Sequence, residues 1–115
     1  MNAINDNRTR REIKSRYLRR RADVQLELDR KQVELTYAIE TAMNERIALI
    51  ARQRVGEDMH AELDTVTARL RSLRMEKIDL DYRRKIAVAE VNEERDRVLR
   101  AHEETVEQRE EVAAV

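Results

Sequence analysis

The sequence contains no cysteine, proline, tryptophan or phenylalanine, and a single glycine. Without cysteine there is no disulfide framework and no thiolate nucleophile, and nothing indicates a redox compartment. One glycine excludes the Gly-rich loops that cradle phosphate, and the lack of proline leaves almost no punctuation for strands or loops. Three tyrosines (Tyr17, Tyr37, Tyr82) are the only aromatics, too few for the centre of a compact globular core. The longest apolar run, Ile47 to Ala51, falls far short of the roughly 20 residues that a membrane-spanning helix requires. The opening MNAINDN has no charged-then-apolar leader. The expected location is the cytoplasm, or the inside of a particle assembled there, with no membrane contact, no cofactor and no small-molecule substrate.

What the chain does have is charge and period. Charged residues make up 42% of the 115, with 24 of each sign. A chain this rich in Ala, Glu, Lys, Leu and Arg is a coiled coil or long helix when its apolar residues are helically spaced. That spacing excludes the competing class, a disordered polar chain, which has too little apolar surface to form a stripe.

The organising stretch runs from Met59 to Ala101. Met59, Leu63, Val66, Leu70, Leu73, Leu80, Ala87, Val91, Val98 and Ala101 follow one another at four- and three-residue steps, interrupted at Lys77, Arg84 and Glu94. An average spacing of about 3.5 residues is the seam of a helix packed lengthwise on another helix. Polar residues on such a seam lower stability but fix register. In the first half, Tyr17, Val24, Leu28, Leu35, Ala38, Ile39, Ala42, Met43, Leu49 and Ile50 form a comparable stripe, and Leu26, Val33 and Ile47 form a second column away from it. An apolar surface this wide suits a bundle helix. Met43, Met59 and Met75 read as core, and Tyr37 and Tyr82 as partly buried seam-edge residues.

Residues 1–8 are polar and read as a disordered segment. Thr9 and Glu12 have the spacing of a capping box, which sets a first helix at 9–55. Gly56 suits the residue just past a helix end and Asp58 suits an N-cap, so 56–58 reads as a turn. A second helix covers 59–110 and a frayed tail 111–115. The fold class expected is all-α: a long two-helix antiparallel hairpin (coiled coil), self-associating into a helical bundle, either a four-helix arrangement or a larger ring. Because the heptad phase survives Gly56, the alternative is one continuous long coiled-coil helix.

Charge is unevenly distributed. Arg8, Arg10, Arg11, Lys14, Arg16, Arg19, Arg20 and Arg21 form a basic start, and Glu93, Glu94, Asp96, Glu103, Glu104, Glu107, Glu110 and Glu111 dominate the other end. In a hairpin turning at Gly56, residue i lies opposite about 112 − i, which sets Arg8–Arg11 against Glu103 and Glu104, and Arg19–Arg21 against Glu93 and Glu94. The basic run is then neutralised within its own chain. The second reading is that these residues contact nucleic acid or an acidic partner. An arginine-dense helix leading into Leu28, Leu35 and Leu49 at seven-residue steps resembles the layout of a basic-region leucine zipper, which would imply contact with DNA over residues 8–21. The asparagine and paired alanines of that family's basic region have no counterpart in EIKSRYLRRR.

No catalytic constellation is evident. Glu57-x-x-His60 has the spacing of one di-iron motif, but a second does not exist, since Leu99 precedes His102. Both histidines read as solvated helix positions. Paired carboxylates such as Glu93-Glu94 point to different helix faces. The expectation is a non-enzymatic scaffold, adaptor or assembly factor in a larger protein complex, of the kind used in phage or secretion-complex assembly; the alternative is a nucleic-acid-binding coiled coil. The expected oligomer seam is Leu28, Leu35, Leu49, Met59, Leu63, Val66, Leu70, Leu73, Leu80, Val91 and Val98. The candidate partner surface is Leu26, Val33 and Ile47, the partners being further copies of the chain and another protein.

Overall fold

The computed structural model describes residues 3–114. It consists of two long α-helices, α1 (Ala3–Arg54) and α2 (His60–Ala114), folded as an antiparallel hairpin. The continuous rod is therefore not the fold adopted. With no proline in the chain and its one glycine outside both helices, nothing interrupts either backbone hydrogen-bond ladder. The chain divides into a turn unit, Glu27–Arg84, and a terminal unit in which α1 up to Leu26 packs with α2 from Lys85 onward.

In the turn unit, α1 ends in a Schellman motif. The Glu57 N–H donates to the Arg52 carbonyl (3.2 Å) and the Gly56 N–H to the Gln53 carbonyl (3.1 Å), with Gly56 at φ +99°. The Arg52 guanidinium also holds the Glu57 carboxylate, at the two positions where an apolar contact more often closes this motif. Asp58 Oδ1 accepts from the His60 N–H (3.2 Å), and the bond that the Leu63 N–H donates to the Met59 carbonyl (2.9 Å) starts the α2 ladder. The core of this unit is Ala42, Leu49, Val66 and Leu70, flanked by Ile39, Met59, Leu63 and Leu73. Leu28 and Leu80 are buried further from the turn, and Leu35 is half-buried. Val66, at 1% exposure, is the most enclosed large side chain among the described residues.

In the terminal unit the core is Ile13, Tyr17 and Val91, flanked by Val24, Val98 and Leu99. The heptad seam read from the sequence runs through both cores, although Ala101 is exposed.

The helix boundaries correct the sequence reading at three places. The first helix begins at Ala3, not residue 9. Thr9 is no cap: its hydroxyl donates to the Asn5 carbonyl one turn back (3.0 Å), and Glu12 pairs with Arg8. The polar start is helical because α2 supplies partners for it. Arg109 donates to Asp6 Oδ1 at 2.8 Å, and His102 Nε2 lies 3.2 Å from the Asp6 carbonyl. Of the segment expected to be disordered, residues 1 and 2 lie outside the described residues. The connection extends beyond 56–58, since α1 stops at Arg54 and α2 begins at His60 rather than Met59. The tail expected to fray is helical through Ala114, with residue 115 outside the described residues.

Candidate interaction surface

The seam residues face each other within the chain. Leu28, Leu49, Val66, Leu70, Leu80 and Val91 are buried, and Leu35, Met59, Leu63, Leu73 and Val98 are half-buried. The row expected to serve as the oligomer seam thus packs within the chain, six of its residues buried and five half-buried.

Two of the polar residues that break the seam make cross-helix bonds. In the turn unit, Arg84 Nη2 donates to Asp29 Oδ1 and to Gln32 Oε1, both at 2.6 Å, while its buried Nε has no partner. In the terminal unit, Glu94 accepts from the Tyr17 hydroxyl (3.2 Å) and from Arg20 Nη1 (2.7 Å). A slip of one turn along the seam would forfeit these bonds, and in that way polar seam residues select one alignment.

The basic run separates by helix face. Arg20 reaches Glu94, Arg10 lies 3.9 Å from Glu103, and Arg21 reaches Asn92 Oδ1 at 3.5 Å. These pairings follow the facing expected from a turn at Gly56. Arg8 is engaged on its own helix by Glu12. Arg11, Lys14, Arg16 and Arg19 form no ion pair among the described residues. Lys14, Leu18 and Arg21 of α1 line an open groove with Arg95, Asp96 and Leu99 of α2. Each exposed pair contributes only about 0–1 kcal/mol, so the pairs matter for alignment more than for stability.

Leu26, Val33 and Ile47 are all exposed, at 52%, 69% and 63%. They recur at multiples of seven residues along α1, with Glu40 occupying the step between Val33 and Ile47. A comparable row on α2 was misread from the sequence. Met75 and Tyr82 are 61% and 65% exposed, and Tyr37 and Met43 are exposed as well, rather than forming core or seam edge. The reason is phase: Met75 stands two residues beyond Leu73 and Tyr82 two beyond Leu80, which turns both about 200° from the seam. The seven-residue repeat Ala61, Ala68, Met75, Tyr82, Ala89 was the available signal.

His60 is exposed and lies 3.7 Å from Asp64, while Glu57 is held by Arg52. His102, expected in solvent, is half-buried against α1. Among the described residues no three His, Cys, Asp or Glu side chains gather as a metal-ligand set. Among the described residues, no helix is long and apolar enough to cross a membrane. Comparison of the chain with protein-family models, curated proteins and solved structures finds no match to any of them.

Proposed function

We propose that this hairpin is a non-enzymatic scaffold or adaptor that works inside a larger protein complex, in the cytoplasm or in a particle assembled there. The observation that carries this reading is the outward row Leu26, Val33 and Ile47, which stays exposed although the seam is satisfied within the chain. A hairpin needs no such row for its own folding, and apolar side chains set in line on a helix face are the anchors by which helices engage other helices. The polar seam bonds complement this role by holding the row in one alignment.

The test is affinity capture after brief cross-linking in the source cells, comparing the chain with a Val33→Glu/Ile47→Glu variant. The expected result is a defined set of partners for the native chain, lost in the variant, with helix content and melting temperature unchanged. An identical set from both would overturn the reading.

A second reading is favoured by Arg11, Lys14, Arg16 and Arg19, which have no acidic partner among the described residues. These four could contact nucleic acid. Binding to duplex DNA would then appear at low salt and weaken steeply as salt rises. Absence of binding at low salt ends that alternative.

A further inference from the structure

We infer that the groove lined by Lys14, Leu18, Arg21, Arg95, Asp96 and Leu99 is a docking site for an acidic amphipathic helix of another protein. The site is separate from the outward row of the scaffold reading and shares with it only the kind of partner, a protein.

Every lining residue belongs to the terminal unit, so the groove is complete within one compact body. It combines apolar carbon with a surplus of positive charge. Leu18 is 58% exposed and Leu99 half-buried. The ionisable groups are three cations and one carboxylate, and that carboxylate, Asp96, is engaged by its neighbour Arg95 at 3.1 Å. Lys14 forms no hydrogen bond or ion pair among the described residues, and Arg21 has a single long bond, to Asn92 Oδ1 at 3.5 Å. Arg11, exposed one turn before Lys14, is likewise without a partner. The acids around the groove do not cancel this surplus. Glu12 is held by Arg8 and, with Asp23, lines a different depression beside Arg16, Arg19 and Arg20. Glu103 lies 3.9 Å from Arg10, and Glu94 accepts from Tyr17 and Arg20. Glu93 follows Asn92 and is turned about 100° from it around α2.

These features select the occupant. A groove between two helices offers no strand edge to an extended peptide, whereas a helical segment satisfies its own backbone and presents side chains alone. Its apolar residues cover Leu18 and Leu99, and its carboxylates meet Lys14 and Arg21. Lys14 to Arg21 spans about 10 Å of α1, the length of two helical turns. The anchors of the partner are therefore apolar residues at i and i+4, with Asp or Glu beside them. A phosphate backbone would gain nothing from Leu18 and Leu99, and of the three cations Arg95 is already engaged.

The probe is a synthetic helical peptide of roughly 15 residues, built from Glu, Ala and Leu with leucines at i and i+4. It is labelled for fluorescence anisotropy and titrated with the full chain at physiological salt. Two control peptides carry Lys in place of Glu, or Ser in place of Leu. The expected result is saturable binding of the acidic peptide, with each control weaker by about tenfold. Lys14→Glu, which removes no bond of the fold, should weaken binding by about fivefold to tenfold. Leu18→Ser, at an exposed position, should weaken it by a similar factor, and Arg16→Glu/Arg19→Glu should leave it unchanged. No binding at millimolar peptide, or binding that ignores Lys14→Glu or the serine control, would overturn the inference. So would displacement of the peptide by an equal concentration of duplex DNA, which would assign these cations to nucleic acid. The Val33→Glu/Ile47→Glu variant should bind the peptide as the native chain does, so failure of this site and failure of the outward row are separate results.

Discussion

Arg84 of α2 bridges Asp29 and Gln32 of α1, placing one guanidinium group on two acceptors at a position where the heptad row calls for an apolar residue. Its side chain is 33% exposed, so the bond is partly shielded from solvent and its geometry matters more than its strength. Arg84→Leu should raise the melting temperature by a few degrees through added apolar burial of about 1 kcal/mol. The same change should loosen alignment, seen as a broader distance distribution between spin labels at 45 and 69. A distribution as sharp as that of the native chain would remove the alignment role.

Seam and outer row should respond differently to truncation. Leu70 sits in the core of the turn unit at 3% exposure, and Leu70→Ala should cost roughly 2–5 kcal/mol by urea unfolding. Ile47→Ala, on the exposed row, should change the stability of the dissociated chain by less than about 0.5 kcal/mol. Similar costs at both sites would mean that Ile47 serves the fold rather than a partner.

Gly56 tests the turn. A Cβ added there meets nothing within 4 Å, so any cost of Gly56→Ala comes from the backbone at φ +99° alone. That cost should be about 1–2 kcal/mol. Gly56→Asn should cost less, because asparagine tolerates the left-handed region better. Equal losses in the two variants would point to another cause.

Tyr17 is buried in the terminal unit with its hydroxyl donating to Glu94. Tyr17→Phe keeps the ring and removes the bond, and should cost about 0.5–1.5 kcal/mol. Combined with Glu94→Gln in a double-mutant cycle, the two losses should be less than additive.

The hairpin was legible because helical period, a lone glycine and opposed terminal charges all point to the same fold. The apolar residues at three- and four-residue steps from Met59 to Val98 fall on buried or half-buried positions, since seam phase is a direct consequence of helix geometry. The start of α1 was not legible. A local cap signal at Thr9 competed with contacts from Arg109 and His102, which lie nearly a whole chain length away in sequence. The outer row of α2 was overlooked because methionine, tyrosine and alanine on a charged helix look like core residues until phase is counted. Which of the arginines stay unpaired depended on helix face, which the run RTRREIKSRYLRRR does not display.

The pairing of Asp6 with Arg109 brings the two extremes of the hairpin side by side, while Gly56 marks an exposed bend. The order in which the two helices are threaded is therefore incidental to how they pack. A circular permutant, opened between Gly56 and Glu57 and joined by a short linker from Ala114 to Ala3, would present the same seam and the same outward rows. A label or fused domain placed at the bend would stand clear of them.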